Sequence, residues 1–168
     1  NRVPGSEPYD SESPNGHGTH VSGTVAGNSG GTAIGVAPDA QLMHGLVLSD
    51  NGEGTFAQVT AGLQWAVDNN AEIVSMSLGS EGYEDAWIDP VRNAQSQGVL
   101  VVAASGNDGP GTSGSPGNVY DTLAVGATDE QGNVPDFSSG ENVDTGQAWN
   151  STPSDWPSQY TVPDLVAP

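Results

Sequence analysis

The chain has 168 residues, no Cys, and a net charge of −19 that comes from 21 Asp and Glu against 2 Lys and Arg. So acidic a surface repels phosphate backbones and anionic headgroups, which argues against nucleic acid and membrane as partners; no apolar run approaches the roughly 18 residues of a membrane span; and disulfides, thiolate catalysis and Cys-bound zinc are ruled out. Repulsion among the acids destabilises the compact state unless salt screens it, because the Debye length falls from about 10 Å at 0.1 M to about 3 Å at 1 M, so a halophilic source is expected.

Residues 1–16 are polar, hold Pro4, Pro8 and Pro14, and read as a leading loop. Residues 17–27 (HGTHVSGTVAG) are small and apolar enough for a short buried helix, although Thr19, Ser22 and Gly23 give it poor propensity. Ala40 to Leu48 has the length and apolarity of a strand. Thr55 to Ala71 places Phe56, Val59, Leu63, Ala66 and Val67 at helical spacing. Ile73 to Leu78 is a second strand, and 84–97 is a helix with Pro90 early in it or kinking it. Val99 to Ala104 and Thr122 to Ala127 are further apolar strands. Residues 138–160, polar apart from Trp149 and Trp156, read as a surface insertion that follows a core of 17–137. Val162 to Pro168 opens another core strand, so one partial domain, incomplete at both ends, is expected. Strands that are apolar on both faces and alternate with helices predict an α/β fold with a mainly parallel sheet flanked by helices.

The chemistry concentrates in Asn15-Gly16-His17-Gly18-Thr19-His20-Val21-Ser22-Gly23-Thr24. Gly16 and Gly18 clear both sides of His17, so a substrate backbone can approach. A helix that starts at His17 would aim its positive end at the imidazole, a field that favours the neutral, proton-accepting ring. His20 falls one turn on, on the same side. Three readings stand on this segment alone: a general base, a structural histidine pair, or a metal site. The last lacks the H-E-x-x-H form of a metalloprotease helix.

The segment resembles the histidine motif H-G-T-H-V-x-G-T of the subtilisin family. Gly35-Val36-Ala37-Pro38, Ser75-Met76-Ser77-Leu78-Gly79, Ala103 to Gly109 (AASGNDG), Leu123 to Ala127 (LAVGA) and Asp164 to Pro168 (DLVAP) are similar to family segments in the family's order. One such match is weak; the ordered series is strong. The resemblance implies the three-layer subtilisin-like α/β fold and a secreted serine endopeptidase acting on peptide or protein substrates through a Ser-His-Asp triad. It makes His17 the general base, His20 a structural neighbour, and Asn107 the oxyanion donor. It makes Gly52-Glu53-Gly54 and Ser77-Leu78-Gly79 the two edges that pair with a substrate backbone. Glu53 then adds an acid near the outer pocket, which suits neutral or basic side chains.

The same family places an aspartate in D-[ST]-G before the histidine and a serine in G-T-S-M-A after these segments; neither is found here. The 168 residues alone are therefore expected to be inactive, since a base without a nucleophile forms no acyl-enzyme. A pseudo-protease or peptide-binding module, or an acidic structural domain sharing only the fold, are the alternatives. Val143-Asp144-Thr145-Gly146 and Gly111-Thr112-Ser113 imitate the two missing motifs, but the first lacks an apolar strand before it and the second opens no helix. No cofactor is required. The resemblance leaves room for calcium or a monovalent cation: Gly27 to Ala33 matches the family's calcium loop poorly, while the carbonyls of Gly117, Val119 and Thr122, with Asp164, fall at a weaker cation site. Asn150-Ser151-Thr152 fits the glycosylation triplet. Exposed sheet edges would invite pairing with a second copy.

Overall fold

The computed structural model describes residues 16–168, so the leading segment, with Arg2, lies outside the described residues. The chain divides into two compact units, with the boundary between Ala71 and Glu72.

In the first unit, helix α1 runs from His17 to Ala26. Gly16, at φ 53°, turns the chain into it from the left-handed region, which glycine enters without strain. The helix is half-exposed and has no buried residue, contrary to the expected burial. Its small side chains bring the backbone of 34–37 close instead: the amides of Val36 and Ala37 donate to the carbonyls of Thr24 and Val25 at 3.1 and 2.7 Å. A Cβ on Gly35 would stand 2.5 Å from the Gly27 amide nitrogen.

Strands β1 (Asn28–Ser29) and β2 (Thr32–Ala33) then form a two-residue hairpin. Its turn glycines, Gly30 and Gly31, both have positive φ, as a type I′ turn needs. Helix α2 (Phe56–Asp68) begins at a capping box: the Gln58 amide donates to Thr55 Oγ1, and the Thr55 amide donates to Gln58 Oε1 at 2.8 Å. Val59, Leu63 and Val67 form its buried stripe, while Phe56, expected on that stripe, is 41% exposed. Residues 40–48 form no strand, and only Leu46 takes part in a bridge. Their apolarity serves packing on α2 instead: Val47 leaves no room for a Cβ at Gly62, and the Trp65 ring lies against Gly45.

In the second unit, four parallel strands make the main sheet: β3 (Ile73–Met76), β5 (Leu100–Ala104), β7 (Leu123–Ala127) and β10 (Leu165–Ala167), in the order β10-β7-β5-β3. Each lies inside an apolar run read from the sequence. The register pairs Met76 with Ala103 and Ala103 with Ala124. A 3₁₀ turn at Asp85–Trp87 leads into α3 (Ile88–Ser96), which packs on β5. Pro90 sits in the first turn of α3, where its missing N–H costs nothing. Val91, Ala94, Val101 and Ala103 are all at most 2% exposed, and they form the core between helix and sheet.

Two small antiparallel ladders complete this unit. Strand β4 (Ser80–Glu81) pairs with β6 (Gly114–Ser115), and β8 (Glu141–Asp144) pairs with β9 (Gln159–Val162). Between the last two lies the short helix α4 (Thr145–Ala148).

The expectation of a surface insertion at 138–160 meets a different arrangement. Trp149 and Trp156 are 6% and 8% exposed, and Val143, Ser138, Ser139 and Thr145 are buried with them. The rings of Trp149 and Trp156 meet edge-on at 5.5 Å, and Tyr83, Tyr120 and Tyr160 extend the cluster. The polar tips of Trp149, Trp156 and Tyr160 are held inside the unit: Trp149 Nε1 donates to Tyr160 Oη, Tyr160 Oη donates to the Asn118 carbonyl, and Trp156 Nε1 donates to Asp121. Burial, and Glu141 beside it, push the Tyr83 hydroxyl up to about 12. Arg92 bridges Asp121 at 3.2 Å and Asp155 at 3.0 Å, which holds the Asp155 carboxyl below its ordinary range.

Candidate functional site

Each unit presents one of the two residues expected to do chemistry. In the first, His17 is exposed at the first position of α1, flanked by Gly16 and Gly18, as a base that must meet a substrate requires. His20 is also exposed, and its carbonyl accepts from Thr24 Oγ1. Ser22 Oγ and His44 Nδ1 lie 3.2 Å apart.

Gly52, Glu53 and Gly54 are exposed. They do not form one extended edge: Gly52, at φ 75°, closes a turn in which its amide donates to the Ser49 carbonyl, and the Ser49 amide donates to the Glu53 carbonyl at 2.8 Å. Glu53 and Gly54, in no helix or strand, lead from that turn to Thr55, which caps α2. Gly54 must be glycine, since a Cβ there would lie 2.6 Å from the Val47 carbonyl oxygen.

In the second unit, Asn107 is exposed on the bend that leaves the C-terminal end of β5. Its carboxamide makes no hydrogen bond to another described residue. Ser77-Leu78-Gly79 leaves the C-terminal end of β3, the neighbouring parallel strand, so the two segments emerge side by side from one end of the sheet. Ligands of open parallel sheets bind at that end. β3 is an edge strand of this sheet, and Ser77 and Gly79 are exposed. A Cβ on Gly79 would meet the Ser115 carbonyl oxygen at 2.8 Å, so the path of this edge is fixed by β6 behind it.

The Asn107 loop is held from behind by a buried network that no sequence motif marks. Ser105 Oγ donates to the Ser139 carbonyl at 2.9 Å, the Ser139 amide donates to the Gly106 carbonyl at 3.1 Å, and the Asp108 amide donates to Ser139 Oγ at 3.0 Å. The only sequence signal for it is Gly106 at the end of an apolar strand, which announces a close backbone approach without saying whose.

The two imitations do other work. Asp144 caps α4, accepting from the Gly146 amide at 3.1 Å. Ser113 is 2% exposed and accepts from Asn118 Nδ2, inside a hydrogen-bond cluster that also takes in Ser115 and the Gly82 carbonyl. A serine sealed there meets no substrate. The amides of Asn150 and Ser151 are spent on the Asp85 carboxylate.

No group of three or more His, Asp or Glu among the described residues is arranged to hold a metal ion. Of the cation donors named from the sequence, Asp164 gives one carboxylate oxygen to the Ala124 amide at 2.7 Å, and the Val119 carbonyl accepts from the Thr122 amide. Thr122 Oγ1 is buried with no hydrogen-bond partner. All these are hard oxygen donors, the kind that calcium and monovalent cations take. The Gly27 to Ala33 segment is occupied by the β1–β2 hairpin.

Among the described residues, no helix is long and apolar enough to cross a membrane. The subtilase family model matches residues 2–168. Subtilisin Savinase of Lederbergia lenta is 44% identical over 137 residues, which cover 81% of this chain and 50% of that protein. A thermostable alkaline protease of Halalkalibacterium halodurans is 39% identical over 143 residues, covering 82% and 40%. Among solved structures, a cold adapted subtilisin-like serine proteinase superposes with a TM-score of 0.68 at 31% identity, covering 90% of this chain and 48% of that one. Sphericase superposes at 0.67 and 38% identity, covering 80% and 46%. The chain thus spans half or less of the length of these relatives, and it has the subtilisin-like α/β fold with a parallel central sheet. A match along nearly the whole chain, with the motifs in order on that fold, leads to one conclusion: the chain belongs to the subtilase family.

Proposed function

We propose that these residues carry the general base and the oxyanion donor of a serine endopeptidase that cleaves protein substrates outside the cell. In this reading His17 takes the proton from a serine nucleophile and passes it to the leaving amine, and the Asn107 carboxamide donates to the oxyanion of the tetrahedral intermediate. Ser77-Leu78-Gly79 pairs with the substrate backbone, and Glu53-Gly54 serves as a second pairing segment. The serine and the aspartate belong to flanking segments of the same reading frame. The observation that carries the reading is the Asn107 carboxamide, with no hydrogen-bond partner among the described residues, at the end of the sheet where the exposed Ser77 and Gly79 also emerge.

No cofactor takes part in this chemistry. A calcium or monovalent cation, where one binds, is held by the carbonyls of Gly117, Val119 and Thr122 with Asp164, and adds rigidity near β7 and β10.

The test is casein hydrolysis in 3 M salt. A chain extended through both flanking segments is expected to cleave casein, and the 168 residues alone are not. An extended chain without activity, folded by circular dichroism, removes the peptidase reading in favour of a pseudo-protease.

The acidic excess is read as adaptation to salt, because only screening relieves a charge of −19 in so small a chain. The thermal midpoint is expected to rise between 0.1 M and 3 M salt; a flat or falling midpoint rejects the halophilic assignment.

A further inference from the structure

Ser139 is a buried, multiply hydrogen-bonded polar residue of the second unit that the peptidase reading does not use. We propose that Ser139 is a positioning residue for the Asn107 carboxamide, an inference that rests on the oxyanion role of Asn107.

Ser139 is 1% exposed. It grips the backbone on both sides of Asn107: its amide donates to the carbonyl of Gly106, the residue before, at 3.1 Å, and its Oγ accepts from the amide of Asp108, the residue after, at 3.0 Å. Its carbonyl receives Ser105 Oγ at 2.9 Å, one residue further back.

The hydroxyl protons can be placed from the partners. Thr112 Oγ1 donates its one proton to the Gly109 carbonyl at 2.7 Å. The 2.9 Å contact between Thr112 Oγ1 and Ser139 Oγ must then be donated by Ser139. Ser139 Oγ is therefore fixed from two sides, accepting from Asp108 and donating to Thr112. Phe137, two residues before Ser139, and Gly140, the residue after, extend the grip, since the Phe137 carbonyl accepts from the Gly109 amide and the Gly140 carbonyl from the Gly111 amide, at 3.0 and 2.8 Å.

Gly106 belongs to the same device. At φ 123° it favours glycine, and a Cβ there would stand 2.8 Å from Ser139 Oγ. A side chain at 106 would collide with Ser139, so this close approach and the hydrogen bonds around it together set the direction in which Asn107 leaves the sheet. An oxyanion donor works only within about 2.7–3.1 Å of the developing charge, so a carboxamide with no partner among the described residues depends on the backbone that carries it. Nothing in the network touches a reacting atom, and Ser139 acts only through Asn107.

The experiment is a double-mutant cycle in the extended chain, with kcat and KM measured on a peptide anilide and the thermal midpoint recorded for each variant. Ser139→Ala is expected to lower kcat about tenfold with KM within twofold, a coupling of ordinary size for residues in one network. In the Asn107→Ala background the same substitution is expected to change kcat by less than twofold. Thr112→Val, which removes the acceptor for the Ser139 proton, is expected to follow the same pattern with a smaller loss, and it decides the matter if Ser139→Ala does not fold. A kcat loss that persists undiminished in the Asn107→Ala background makes Ser139 merely structural and overturns the proposal. So does an unchanged kcat in Ser139→Ala. If Asn107→Ala itself keeps full kcat, the oxyanion role falls, and the positioning role falls with it.

Discussion

Asn107→Ala in the extended chain is expected to lower kcat by about 10²–10³ and to leave KM within a few-fold, because the lost hydrogen bond forms only as charge develops on the carbonyl oxygen. That magnitude is the one known for the oxyanion asparagine of subtilisin, a member of the same family, and is taken from there. The geometry supports a full effect. No described residue hydrogen-bonds to the carboxamide and could hold it away from a substrate, and the loop beneath it is fixed by Ser105, Thr112 and Ser139. Asn107→Asp keeps the size but opposes the oxyanion with a negative charge, so it is expected to be at least as damaging as alanine. Steady-state kinetics on a peptide anilide reads both. A rise in KM with unchanged kcat would make Asn107 a substrate-binding residue only.

Trp156→Ala is expected to destabilise the fold by about 3–5 kcal/mol, the usual cost of truncating a buried large aromatic side chain. Against a total stability of about 5–15 kcal/mol, that brings the chain close to unfolding. The Trp156 ring is shared: it meets Trp149 at 5.5 Å, Tyr120 at 5.8 Å and Tyr160 at 6.2 Å. Its Nε1 donates to Asp121 at 2.8 Å, on the carboxylate oxygen that also receives Arg92. Trp156→Phe keeps much of the ring contact and loses the N–H donor, so it is expected to cost about 1–3 kcal/mol. Denaturant midpoints of the two variants separate packing from hydrogen bonding. A cost below about 1 kcal/mol for Trp156→Ala would place the cluster at the surface, as a merely exposed residue would be.

That cluster also marks where the sequence was hard to read. The strands of the main sheet were legible because parallel strands read as continuous apolar runs, as Leu100–Ala104 does, although among the described residues only Val101 and Ala103 of that strand are buried. The helix at Thr55 announced itself through stripe and cap together. The 138–160 segment misleads because its core is aromatic rather than aliphatic: two tryptophans among Ser, Asn, Asp and Pro show no periodicity, and their partners Tyr83 and Tyr120 come from distant parts of the chain. Ala40 to Leu48 misleads in the opposite way, being apolar for packing against α2 rather than for a ladder. His17 was legible through the glycines on both sides of it, and Asn107 only through the likeness of Ala103 to Gly109 to a family segment. The residue that holds Asn107 was not, because a serine in a polar stretch has the same appearance whether it lies in a loop or in a buried clamp.

The catalytic role of His17 stands or falls on casein hydrolysis in high salt by the extended chain with and without His17→Ala, with folding of the variant checked by its thermal midpoint. A folded variant is expected, with hydrolysis reduced by several orders of magnitude, as loss of a triad histidine does in subtilisin. Hydrolysis that survives intact in the His17→Ala chain would contradict that role and the peptidase mechanism built on it.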